Sequence, residues 1–215
     1  MDSVTDPESL RDHDGVEFSE QTVVVDDEEF ETATEGAESQ AGMVVVGVTN
    51  DDGEILLVDS EWVDGWVPPN GPVGTDEDWA AAADRWSEDQ LGFPVAVGDP
   101  EFVVRTETQP ESGDSSVVGY TVGFTASLLP MMEASDAVAG IGAGGVPPNA
   151  GPGGEPTAPD AGPSGGAGPG AAGGPTPGNG GQQQPEVEWF GEVPPGVAPS
   201  HEGNVRVFLD AADEV

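Results

Sequence analysis

From Ala139 to Pro185 the chain is almost entirely glycine, proline and alanine, with a short glutamine run at the end. Such a stretch has too little apolar bulk to offset the entropy of ordering it. Any core must therefore be assembled from residues on both sides. The stretch reads as a flexible tether inserted within one domain. Closing so long a loop costs little more than closing a short one, because the penalty grows only logarithmically with length. The expected organisation is an acidic N-terminal extension over 1–41, the first part of the domain over 42–138, the insertion over 139–185, and a closing strand and helix over 186–215.

Charge is the next constraint. The 215 residues carry 42 acids and four basic side chains, for a formal net charge of −38. The four are Arg11, Arg85, Arg105 and Arg206, and there is no lysine. Self-repulsion on this scale is costly in ordinary salt. Molar salt shrinks the Debye length to about 3 Å and mutes it. The composition is that expected of a protein adapted to a salt-filled cytoplasm. Nucleic acid is disfavoured as a partner, since phosphate contacts need lysine and arginine. Anionic membranes are disfavoured for the same reason. Cysteine is absent, which removes disulfides and thiolate metal sites. Neither a leader-like segment nor an apolar run of about 18 residues is seen, so a cytoplasmic location is expected.

Within the extension, Thr22–Val25 is either a short extra strand or part of a solvated acidic arm. Two apolar, β-branched runs, Val44–Thr49 and Ile55–Asp59, flank "NDDG". Asp52-Gly53 predicts a hairpin turn, because glycine tolerates the positive φ required there. A Pro/Gly-rich loop, "GWVPPNGPVG", follows. A helix is predicted next, capped by Thr75 or Asp76, with acids in its first turn and Ala80–Ala83 as strong helix formers. Gly92 stops it and Pro94 cannot continue it. "VAV", "EFVVRTET" and "SSVVGYTVGFTASLL" read as three strands, the last two joined as a hairpin. After the insertion, Val187, Trp189 and Phe190 read as a buried strand. Val205, Phe208, Leu209 and Ala212 fall at helical spacing. Strands on both sides of a helix predict an α/β or α+β layered domain. His13 and His201 have no ligand spacing.

"GPVGTDEDWAAAADRWSEDQLGF", Gly71 to Phe93, resembles the signature box of the Nudix hydrolases, G-x5-E-x7-R-E-U-x-E-E-x-G-U, where U is bulky and apolar. Gly71, Glu77, Arg85, Gly92 and Phe93 fall at its spacing without a gap. "WVPPNGPV" resembles the family's lead-in, Val44–Leu57 its opening hairpin, and "EVEWFGEVP" a late segment. The resemblance covers roughly 43–133 and 185–213. It implies a Nudix-like α/β/α sandwich with a mixed sheet, here carrying the Gly/Pro insertion. It also implies hydrolysis of a nucleoside diphosphate linked to another moiety, with Mg²⁺ or Mn²⁺ as cofactor. In the family, three acids at i, i+3 and i+4 share one helix face. They hold the metal against a diphosphate, where it neutralises charge and helps activate water.

Here those positions are Trp86, Asp89 and Gln90. Asp89 keeps a carboxylate, Gln90 offers a neutral oxygen, and Trp86 offers no ligand. The expected catalytic set is Asp89, Glu77 and Arg85, with Asp89 and Gln90 at the metal. Trp66, Gly71 and Trp86 are expected at a nucleotide-like substrate, and Gly92 and Phe93 in structural roles. Glu107, Glu111 and Asp114 could rebuild the site. Glu77 and Arg85 could equally form an ion pair joining loop to helix. Asp84 and Glu88 read as a solvated face. Trp62, Trp66, Trp86, Trp189 and Phe190 line either a pocket for a planar ligand or the core. Depletion of acids implies weak hydrolysis. The alternative is a catalytically inactive domain binding a nucleotide-like ligand or a protein partner.

Overall fold

The computed structural model describes residues 3–60, 65–129 and 186–212. The 139–185 segment and Trp62 lie outside the described residues. The elements are a 3₁₀ turn (Pro7–Leu10), β1 (Glu17–Val25), α1 (Asp27–Ser39), β2 (Gln40–Thr49), β3 (Ile55–Asp59), β4 (Trp66–Val67), β5 (Asn70–Gly74), α2 (Trp79–Leu91), β6 (Val95–Pro110), β7 (Val117–Leu128), β8 (Val187–Phe190) and α3 (Glu202–Ala212).

β2 organises the sheet. It pairs with β7 in parallel along one edge. Along the other edge, β5 covers its first half and β3 its end, both antiparallel. The sheet continues outward from β7 to β6 and then β1, which runs parallel to β6. β8 and β4 both attach to β3. The sheet is therefore mixed. β2 is buried on both faces, which is why Val44, Val45, Val46 and Val48 form a continuous apolar run rather than an alternating one.

One face packs Val44, Val46, Val48, Val73, Val103, Val122 and Phe124 against α2 through Trp79, Ala82 and Ala83. The other packs Val45, Ile55, Leu57 and Phe102 against α3 through Val205 and Phe208. This is the α/β/α sandwich expected from the resemblance. Helices on opposite faces are what give a sheet buried on both sides its two cores.

Sequence and structure agree at the Asp52-Gly53 hairpin, where Gly53 has φ 77° and the Asn50 N–H donates to Glu54 O at 3.1 Å. They agree again at Gly92, the left-handed cap of α2 (φ 76°) whose N–H donates to Glu88 O. Three details differ. The cap of α2 is Asp78, not Thr75 or Asp76; its carboxylate accepts from Ala81 N–H at 3.0 Å, and the first turn carries no acid. "VAV" and "EFVVRTET" are one strand, β6, which runs through Gly98–Pro100 with register shifts around Pro100. Thr22–Val25 is the end of edge strand β1, and α1 follows it. The acidic first 41 residues thus add a strand and a helix to the sheet.

Residues 3–10 also fold back. Val4, Pro7 and Leu10 are buried, with Val4 and Leu10 in the α2-side core. The Trp79 N–H, at the start of α2, donates to Val4 O at 2.9 Å. The Glu8 carboxylate accepts from the Tyr120 hydroxyl at 2.9 Å and meets Arg11 and Arg105. This strap lies beside α2 on the sheet face.

Gly47 lies directly under Phe208 of α3. A Cβ there would lie 2.2 Å from Phe208 Cγ. Gly47→Ala is expected to displace the Phe208 ring and destabilise the fold by about 1–3 kcal/mol, read from urea unfolding midpoints in KCl.

Candidate functional site

The site expected from the sequence is the loop from Gly71 to Asp78 and the face of α2 that carries positions 86, 89 and 90. Each residue is held by an identifiable contact. Glu77 stands before the helix, and its two oxygens are both used. Oε2 accepts from the Gly74 N–H at 3.0 Å, tightening the turn after β5. Oε1 accepts from Arg85 Nη2 at 2.7 Å and Nε at 3.1 Å, which ties the turn to the second turn of the helix. Burial pushes the Glu77 pKa up, but the Gly74 N–H and the Arg85 guanidinium outweigh it and hold the carboxyl below its ordinary value. The Arg85 guanidinium also lies 4.7 Å from the centre of the Trp86 ring, within cation–π range.

Trp86 points at β5. Its Nε1 donates to Pro72 O at 2.8 Å. Its ring lies flat against Gly71, where a Cβ would be 2.2 Å from Cδ2 and Cε2. Gly71 is thus the residue that lets an indole close on the strand. One turn later Gln90 clamps the same strand. Its amide NH₂ donates to Asn70 O, and its Oε1 accepts the Asn70 N–H at 3.3 Å. The side chain behaves as one rung of a β-ladder. Ser87, at a position where the family signature has a bulky apolar residue, is buried and donates its hydroxyl to Ala83 O at 2.7 Å. Asp89, like Asp84 and Glu88, is exposed. Phe93 is buried.

Glu77, Arg85, Gly71 and Trp86 are therefore brought together, with Gln90 one turn beyond. Trp66 is not among them. It packs with the α3-side cluster, edge-on to Phe190 at a centroid separation of 5.2 Å. Trp66 and Trp86, both expected at a substrate, thus pack against different clusters, Trp86 on the α2 side and Trp66 on the α3 side. Of the acids that could rebuild the site, Glu107 has its carboxylate engaged on β6, and Glu111 lies in the turn beside the end of β1. Glu107 meets Arg105 at 3.6 Å and accepts from Gln109 at 3.0 Å. The Glu111 N–H donates to Val25 O, at the end of β1, and Ser112 bonds Asp27 at the start of α1.

A divalent metal does not fit these residues. Among the described residues, no three histidine or acidic side chains are grouped to hold one. At the helix positions in question, Trp86 supplies no oxygen, the Gln90 oxygen accepts the Asn70 N–H, and Asp89 is exposed. The N-terminus of α2 is also occupied, by Asp78 and by Val4 O, so its free N–H groups are not presented to a phosphate. A cavity of about 250 Å³ does exist, but between α1 and the sheet, lined by residues such as Ala33, Ala37, Gln40, Met43 and Thr108. None of the expected site residues borders it.

Sequence reasoning missed two partners of this region. Asn70 gave no signal of its own, being one polar residue in a Pro/Gly loop. The strap did give one: "DPESL" places a capping aspartate before a proline at a helix start, and Asp6 accepts from the Glu8 N–H at 3.0 Å.

Fold and site together define an α/β/α sandwich whose box-bearing helix is bonded to its neighbouring strand. No family model matches the chain, and no curated protein does. Solved structures do. The E. coli ORF135 protein matches at 22% identity over 40% of this chain and 59% of its own, with a TM-score of 0.29. The C. elegans Ap4A hydrolase matches at 18% identity over 43% of this chain and 71% of its own, with a TM-score of 0.30. This chain thus spans under two thirds of the first.

Three outcomes follow from these contacts. Gln90→Ala removes both partners of the Asn70 backbone and is expected to cost about 1–2 kcal/mol. Asp89→Ala, on the exposed face, is expected to stay within about 0.5 kcal/mol of the parent. Urea unfolding of the two variants side by side checks this. The depressed Glu77 carboxyl contributes stability above the ordinary glutamate range and loses it as pH falls through its lower folded-state value. Glu77→Gln should flatten that acid limb of the stability–pH curve.

Proposed function

We propose that this chain is a non-hydrolytic domain of Nudix-like architecture that acts by binding a macromolecular partner. The observation that carries the reading is the engagement of positions 86 and 90 with the backbone of β5. The helix face that would hold metal in the resembled family is here a packing surface. Hydrolysis of a diphosphate by that route would require oxygen ligands that these side chains do not offer.

A nucleotide-like ligand is the weaker of the two binding readings. A phosphate needs a cation, and every arginine in the chain already has an acid within ion-pair distance. Arg11 meets Glu8 and Glu20, Arg85 meets Glu77, Arg105 meets Glu8, and Arg206 meets Glu202, at 2.7–3.5 Å. With no lysine present, a phosphate would have to share a guanidinium with an acid already beside it. Nucleic acid is disfavoured on the same ground. As for membranes, no helix among the described residues is long and apolar enough to cross one.

The test is hydrolysis rather than metal binding, since so acidic a surface gathers divalent cations without a site. The protein is incubated with nucleoside triphosphates, dinucleotides and nucleotide sugars, with Mg²⁺ or Mn²⁺, in multimolar KCl. Product release from the parent and from Asp89→Ala is expected to match the protein-free background. Metal-dependent turnover that disappears in Asp89→Ala would overturn the reading.

A further inference from the structure

His201 is the residue at which the loop after β8 becomes α3. A run of backbone hydrogen bonds leads through it from β4. The Trp66 N–H donates to Gly196 O at 2.9 Å, and the Ala198 N–H to Trp66 O at 3.1 Å. The His201 N–H then donates to Ala198 O at 2.8 Å, and the Val205 N–H to His201 O at 2.9 Å. α3 fully buries Val205 and Phe208, and Val205 lies in its first turn. The seat of the helix thus depends on the joint at His201. The imidazole there is partly buried. Its Nδ1 is enclosed and has no hydrogen-bond partner, the one such side-chain atom among the described residues. A buried polar atom left unpaired is rare enough to need a physical account.

We propose that His201 is a proton-operated latch on α3: the neutral ring lets the first turn of the helix and the loop before it seat against β4, and the protonated ring releases them. A neutral imidazole can keep its proton on Nε2 and leave Nδ1 bare. The imidazolium carries a proton on both nitrogens, and the one on Nδ1 would meet no acceptor. The new charge would also stand at the positive end of α3. Burial holds the His201 pKa below its ordinary value, and no charged side chain contributes to that. The nearest charges in the chain are Glu202 and Arg206, which pair with one another at 3.0 Å. Residues 193–200 and β4 carry no titratable side chain. The direction of the switch is set by linkage. With the turn open, His201 takes up its proton at the ordinary histidine value; with the turn seated, it does so only below that value. The seated state is therefore favoured above the ordinary value and loses ground as pH falls through it. The latch is independent of whether α2 hydrolyses anything.

The test uses the full chain with His13→Gln, which leaves His201 as its one histidine. His13 is exposed, so this background should keep the parent fold. Nuclear magnetic resonance titration of the remaining ring in multimolar KCl is expected to place it below a histidine peptide titrated in the same salt. Amide exchange is then followed at Trp66, Ala198 and Val205. Protection there is expressed relative to the Val46 N–H, which donates to Pro69 O at 2.8 Å within the central strand. As pH falls from about 7.5 to about 5.5, that ratio is expected to drop by up to about tenfold, the most that an ordinary histidine value of about 6.5 in the open state allows. Adding His201→Gln should make the ratio independent of pH. A ring that titrates at or above the peptide, a ratio that holds steady as pH falls, or a drop that survives His201→Gln would each overturn the proposal. The first two readings need no change at position 201, so they decide the matter even if His201→Gln fails to fold.

Discussion

Positive charge is the scarce component of this molecule, and the places where it is used show what needs fastening. Arg85 joins the turn after β5 to α2. Arg11 and Arg105 meet around Glu8, where the N-terminal strap crosses the sheet. Arg206 lies within α3, against Glu202 one turn earlier. With four cations among 42 acids, ion pairing cannot hold the fold together, and exposed pairs contribute little individually. Cohesion falls to apolar burial on the two faces of β2 and to hydrogen bonds that need no charge. The Gln90–Asn70 rung and the Trp86–Pro72 bond are of that second kind.

That division explains the state of the candidate site. An array of acids on one helix face is costly unless a metal neutralises it, and more so within a chain of this charge. Trp and Gln at two of the three positions avoid that like-charge repulsion and make neutral contacts to β5. Gly71 and Glu77 remain useful in this arrangement. Gly71 admits the indole, and Glu77 closes the turn and anchors Arg85. Packing and pairing account for both residues.

Much of the fold was legible because its signals are local. The Asp52-Gly53 turn, the Gly92 stop, the valine run of β2 and the helical spacing of Val205 and Phe208 each depend on residues a few positions apart. What was not legible depends on distant contacts. Thr75, Asp76 and Asp78 can all cap a helix; Asp78 does so where Ser3 and Val4 reach it from the other end of the chain. β6 passes through Gly98–Pro100, normally a break, because β7 pairs with it on both sides of the irregularity. α1 buries no residue fully, so its acid-rich sequence carries only a faint apolar stripe. At the site, the box spacing was visible, but the Gln90 clamp links residues twenty apart and turns a possible ligand into a strand contact.

The order of strands in the sheet has a consequence for how the chain is made. β1 leaves the ribosome first among the strands, yet its partner β6 begins some seventy residues later in the sequence. β3 likewise waits for β8, which follows the long Gly/Pro stretch. Neither side of the sheet is complete until late in synthesis, and contacts this distant in sequence form slowly. During that interval the valines of β1 belong to a nascent chain whose partner strand is not yet made. The dense acids around them are then a safeguard, keeping neighbouring nascent chains apart while the sheet is still unfinished.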